Sequence, residues 1–153
     1  MSIPILTACA GFLLAVLWMD LMFDTQGALR GADTDESVVA SIAAYYRRAT
    51  TTSQPMGTLI ALVMGGLLVS LGIEAWRGGH PYWVLIASAV LAGGPILLAL
   101  LRTVPSAVRL GRRSDTPAEQ SRLARAIYRD HMVCIAGMAL FLLLWLTVVV
   151  RSY

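Results

Sequence analysis

The residues with chemistry to offer gather at a few points of the chain. His131 closes the run Tyr128-Arg129-Asp130-His131, and Asp20 and Asp24 stand one helical turn apart at the end of the first apolar stretch. Histidine titrates near neutrality, and a neighbouring carboxylate holds its ring and favours the cation, so this set suggests proton transfer. Arg102, which ends the third apolar stretch, and Tyr128 complete a candidate polar pocket, with Asp24 and Arg47 at its rim. In this reading His131, Asp20 and Tyr128 are the candidate catalytic residues, and Arg102, Asp24 and Arg47 the candidate ligand-binding ones. A plainer reading competes with it: Asp20 pairs with Arg102, Asp24 is interfacial and solvated, and His131 is an interfacial histidine bonded to a carbonyl. An ionisable group inside a span flags function, whereas a charged helix end does not.

One histidine with two carboxylates lacks the second histidine or cysteine of a typical metal site, so no metal or cofactor is predicted. A metal or haem at His131 stays open as an alternative. His80, in the turn Gly78-Gly79-His80-Pro81, reads as a solitary solvated residue. Thr103, Ser106 and Cys134 have no partner at a spacing that marks a nucleophile. Cys9 and Cys134 belong near opposite ends of their helices, separated by much of a bilayer at ~1.5 Å per residue, which is too far for a disulfide.

The elements that must position these residues are membrane helices. Of 153 residues, 58% are hydrophobic and 14% charged, and the mean hydropathy of +0.71 lies outside the range of soluble domains. The expected fold is all-α: a single integral membrane four-helix domain, up-and-down, with cytoplasmic amphipathic helical extensions. The spans fall at about 3–23, 56–76, 82–101 and 131–150, with large loops at 24–55 and 102–130. The first span has no Lys or Arg before its apolar run and no convincing cleavage site, so it reads as a retained helix. Thr116-Pro117-Ala118-Glu119 is a capping-box start for a helix that begins in water and continues through the fourth span. In the first loop, after an irregular start at Gly27 and Gly31, Asp33-x-x-Glu36 opens an amphipathic helix carrying Val38, Val39, Ile42, Tyr45, Tyr46 and Ala49. That helix either lies on the membrane surface or packs on the helix from Pro117 to Asp130, with Tyr45, Tyr46, Arg47 and Arg48 as interfacial anchors. Gly57, Ala61 and Gly65 form a small-residue seam for close helix approach, and Gly93-Gly94-Pro95 should kink the third span.

Every basic residue is arginine. Arg30, Arg47, Arg48, Arg102, Arg109, Arg112, Arg113, Arg122, Arg125 and Arg129 fall in the two large loops, and only Arg77 and Arg151 on the other side. The positive-inside rule then predicts a multi-pass protein of the bacterial inner membrane with both loops cytoplasmic and both termini extracytoplasmic. The sequence pI of about 9.2 follows from this asymmetry; the partners it implies are anionic lipid headgroups and not nucleic acid.

Gly11-Phe12 in the first span, Pro55 before the second, Val104-Pro105 after the third and Tyr128-Arg129-Asp130-His131 entering the fourth together resemble the anthrone oxygenase-like family of small four-helix membrane proteins, much of it without an assigned function. The resemblance spans most of the chain on short motifs. It implies cofactor-free oxidation of a polycyclic, phenol-like substrate that partitions into the membrane, with His131 as the base that forms a carbanion able to react with O2.

Three functional classes follow. The leading expectation is a non-catalytic membrane protein, either a lipophilic-ligand binder or an accessory subunit of a larger complex or homo-oligomer, because the packing seams are clearer than any chemistry. An anthrone oxygenase-like enzyme comes second. A small oligomeric transporter is third, since only the third span is interrupted and no inverted pair of broken helices is present.

Overall fold

A computed structural model describes residues 2–28, 36–52 and 54–150. Arg30, Gly31, Asp33 and Arg151, which entered the reading of the first loop and of the charge asymmetry, lie outside the described residues.

All regular structure among the described residues is helical. Helix α1 is Ser2–Ala28 and α2 is Glu36–Arg47, prolonged by a π-helical turn over Arg48–Thr52. Helix α3 is Gln54–Arg77, α4 runs without a break over Tyr82–Arg112, and α5 is Pro117–Val150. Four of them, α1, α3, α4 and α5, are long and apolar enough to cross a bilayer. At ~1.5 Å per residue, α4 and α5 reach well beyond the ~30 Å of a hydrocarbon core. The helix of the third span therefore does not end at Arg102: it continues through Val104-Pro105 to Arg112, where Arg113 adopts a left-handed cap (φ 53°).

This overhang divides the bundle into two packed levels. Within the spans, Leu6, Leu13, Leu67, Ile96, Phe141 and Trp145 form an apolar core, while Leu62, Val69, Ile86, Val90 and Leu143 are exposed on the outer faces, where lipid tails cost them nothing. Trp76, Tyr82 and Trp83 ring one end, as amphipathic aromatics do at an interface. Beyond the other, arginine-rich end lies a second core of Val39, Ile42, Tyr46, Ala107, Leu110, Leu123 and Ile127. Helix α2 thus packs against the overhangs of α4 and α5 and does not lie alone on a membrane surface; its buried residues at 39, 42, 43 and 46 follow the 3,4 spacing of one helical face.

Two prolines shape α4. Pro95 has no N–H to give the carbonyl of Leu91, and the helix widens into a π turn over Ala89–Gly93; a second π turn, Ala99–Thr103, precedes Pro105. Gly137 of α5 fits against this irregular stretch: a Cβ there would lie 2.6 Å from Pro95 Cγ and 2.9 Å from the Leu91 carbonyl oxygen. The seam expected at Gly57, Ala61 and Gly65 is different in kind. These three residues are exposed; a Cβ at Gly65 would meet nothing within 4 Å and one at Gly57 only the Ala49 carbonyl at 3.9 Å, so among the described residues the seam is not closed by a tightly packed helix.

The start of α5 is half of the expected capping box. The Glu119 N–H lies 3.4 Å from Thr116 Oγ1 as donor to it, but the Glu119 carboxylate turns to Arg122 and Arg109 instead of reaching back.

Candidate functional site

The site lies where the two levels meet. Asp20 and Asp24 arrive on the last turns of α1, Tyr45 and Tyr46 on α2, and His131 at the middle of α5. Asp24 accepts on both oxygens: Tyr46 Oη–H donates to Oδ1 at 2.6 Å, and His131 Nδ1–H donates to Oδ2 at 2.6 Å. Its side chain is fully buried, against 8% exposure for His131. Tyr45 Oη–H donates to Asp20 Oδ1 at 2.6 Å, and its ring stacks on Phe23 with centroids 4.0 Å apart. With Nδ1 committed to Asp24, His131 keeps Nε2 for the cavity, 3.9 Å from Asp20 Oδ2. Burial first, and the adjacent carboxylates after it, push both phenols above the usual tyrosine range, so each stays protonated and remains a donor.

The cavity that His131 lines has a volume of about 310 Å³. Asp20, Tyr46, Thr103 and His131 line its polar end; Leu13, Leu17, Ile60, Met64, Ile96 and Met138 make its apolar walls. Gly57, Ala61, Leu100 and Val104 line it and are also exposed on the bundle surface, so it opens sideways between α3 and α4, which touch only sparsely. Asp24 does not line it; it stands behind His131 and orients the imidazole.

Of the six residues singled out from sequence, His131, Asp20 and Asp24 come together, and Arg102, Tyr128 and Arg47 lie elsewhere. Arg102 does not pair with Asp20: its Nε lies 3.3 Å from Asp130 Oδ2, and its side chain is largely exposed. Tyr128 is half-buried and lines neither the cavity nor the carboxylate cluster. Arg47 faces a separate groove between α2 and α4. Asp24, read as interfacial and solvated, is instead the most deeply buried member.

Sequence reasoning missed Tyr45 and Tyr46 at the site, and the pairings of Asp130 and His80 away from it. Tyr46 was read as an interfacial anchor; the available signal was its place on the apolar face of α2, which carries its hydroxyl inward. Asp130, given no role from sequence, is buried and accepts from Thr103 Oγ1 at 3.4 Å as well as pairing with Arg102. At the opposite end His80 is not solitary: Nε2 lies 3.2 Å from Glu74 Oε2, and the ring meets Trp145 edge-on with centroids 5.1 Å apart.

Among the described residues no group of three or more His, Cys, Asp or Glu side chains is disposed to hold a metal ion. Both thiols are free, and Cys134 Sγ–H donates to the Pro95 carbonyl at 3.6 Å.

Comparison with known proteins returned no match: no family model, no curated protein and no solved structure matches this chain.

Proposed function

We propose that this chain binds a lipophilic molecule with a polar, hydrogen-bonding head, taken from the bilayer into the cavity between α3 and α4. The observation that carries this reading is the polarity of the cavity itself. Its walls are apolar and its inner end presents Asp20, Tyr46 and His131, which suits a ligand with a hydrocarbon or aromatic body and one phenol-, quinone- or carbonyl-like end. A volume of about 310 Å³ falls at the lower end of the ~300–1,000 Å³ typical of small-molecule sites. The sideways mouth favours a ligand that partitions into membranes over one arriving from water. The arginine bias supports an orientation in a bacterial inner membrane with this site at the cytoplasmic face and the Trp76–Trp83 end outside.

The test is to purify the wild type, His131→Ala and Ala61→Trp in mild detergent and mass-analyse the extracted small molecules. The wild type should carry a lipophile that is depleted in His131→Ala, which loses the polar end, and in Ala61→Trp, whose indole fills the mouth. Three folded and equally empty proteins would remove the reading's support.

A second reading rests on the way His131 is held. An imidazole fixed by a buried carboxylate on Nδ1, with Nε2 at a cavity, is the arrangement of a general base. Together with the resemblance to anthrone oxygenase-like proteins, it supports abstraction of a proton from an activated CH2 of a polycyclic phenol. The carbanion would add O2, and loss of water from the protonated hydroperoxide would leave a carbonyl. O2 uptake with such a substrate should fall by about 10²-fold or more in His131→Ala. Uptake equal in the two proteins would leave only the binding role.

A further inference from the structure

A second concavity, of about 440 Å³, lies at the same end of the bundle but on another side, between α2 and the last turns of α4. Small residues, Ala40, Ala44 and Gly111, leave its floor low, and Arg47, Arg48, Arg112 and Arg113 line it. The crossing of the two helices brings these four guanidinium side chains together. A Cβ at Gly111 would lie 3.0 Å from the backbone nitrogen and 3.1 Å from the Cα of Arg47, so the helices meet there backbone to backbone, and any larger residue would press them apart by a few tenths of an ångström. Arg113 takes a left-handed conformation at the end of α4, a position that glycine would occupy without strain, and forms an ion pair with Glu36.

The charges of the groove do not balance among the described residues. Among the described residues, no carboxylate lies within ion-pair distance of Arg47, Arg48 or Arg112, so Glu36 is the one acidic partner found for four arginines. Like charges held this close repel one another, and the repulsion is relieved when an anion enters. The planar five-donor guanidinium suits phosphate oxygens in particular.

We propose that this groove binds a phosphate-bearing anion with two or more negative charges. The site is separate from the lipophile cavity, shares no lining residue with it, and does not depend on the function proposed above. The groove follows directly on the overhang of the spans, within reach of both a lipid headgroup and a soluble phosphate compound. The chemistry recognised is the same, and the experiment separates the sources.

The full-length protein in a neutral detergent is titrated with inorganic pyrophosphate by calorimetry. In parallel, it is equilibrated with mixed micelles of phosphatidylglycerol and phosphatidylcholine and examined by native mass spectrometry. Each measurement is repeated on Arg47→Gln/Arg112→Gln and on Arg122→Gln, whose guanidinium lies outside the groove and is bonded to Glu119. The wild type should bind pyrophosphate or retain phosphatidylglycerol in preference to phosphatidylcholine. The double variant should lose at least tenfold in that affinity, and Arg122→Gln should lose less than twofold. Raising the salt from 50 to 500 mM should weaken the wild type, since the groove is open to solvent. Retention of lipid alone assigns the groove to a headgroup, and binding of pyrophosphate alone assigns it to a soluble phosphate. Wild type that binds neither, a folded double variant that binds equally well, or an equal loss in Arg122→Gln each overturns the proposal. If the double variant does not fold, the exposed Arg48→Gln serves in its place, with a threefold loss expected and no loss overturning.

Discussion

Asp24 and Asp20 are four residues apart on one helix and differ in what depends on them. Asp24 satisfies two buried donors, Tyr46 Oη–H and His131 Nδ1–H, whereas Asp20 serves Tyr45 and keeps part of its surface open, at 15% exposure. A buried donor stranded without its acceptor costs about 1–3 kcal/mol. Asp24→Ala strands two such donors and should destabilise the protein by about 3 kcal/mol or more; Asp20→Ala should cost about 1 kcal/mol. Unfolding in mixed micelles reads both, and equal losses would mean that Asp24 does not hold the cluster. Asp24→Asn is subtler. Its carbonyl can still accept from Tyr46, but its amide then faces Nδ1 as a donor and turns the imidazole to the Nε2–H tautomer. Nitrogen-15 chemical shifts of His131 should show the exchange, with the fold retained. At this scale the sequence made the candidates visible, because carboxylates and a histidine near apolar spans are few. It did not show which carboxylate the histidine takes: Asp20 and Asp24 share a helical face, and the choice depends on how far α1 slides along α5.

Among the elements, the contact between α4 and α5 and the contact between α2 and α4 each include a close approach at a glycine. Both rest on a glycine whose absent Cβ leaves room for a neighbouring backbone. At Gly137 the neighbours are Pro95 and the Leu91 carbonyl, the same carbonyl that the proline deprives of its donor. Gly137→Ala should therefore overpack this contact and destabilise by about 1–3 kcal/mol. Gly65→Ala, where an added Cβ meets nothing within 4 Å, should be neutral or stabilise by about 0.5–1 kcal/mol through helix propensity. Denaturation of the two variants side by side is the check, and the reverse order would contradict the packing described. The kink at Pro95 was legible from Gly93-Gly94-Pro95, since a proline without its N–H acts locally. Which glycines pack was not: Gly57, Ala61 and Gly65 have the seam spacing and remain open, while Gly137 has no such pattern and is fully used. Helix spacing states only that residues share a face, and the partner of that face is a tertiary fact.

On the scale of the whole molecule, the bundle has a part long and apolar enough for a bilayer and an arginine-rich part that overhangs it, with the cavity at their junction. The orientation proposed from the charge bias can be tested by labelling. With Cys9 and Cys134 replaced by serine, a cysteine at Arg112 should react with a membrane-impermeant maleimide only in inverted vesicles, and one at Gly79 only in intact spheroplasts. The opposite pattern would move the cavity mouth and the arginine groove to the outer face.

Composition and hydropathy by themselves determined that the chain is helical and has four segments fit to span a membrane, because burying backbone polar groups in lipid leaves a helix as the solution for an apolar run of this length. They also determined the apolar face of α2, through the 3,4 spacing of Val39, Ile42, Ala43 and Tyr46. Tertiary structure alone decided what that face covers, that Tyr46 reaches Asp24, that Arg102 turns to Asp130, and that α3 stands away from α4 to leave a cavity. The physical reason is the same in each case. Periodicity reports the direction of a side chain around its own helix axis, whereas a pocket depends on the distances between axes, and those are settled by small residues, proline and the overhang of neighbouring helices acting together.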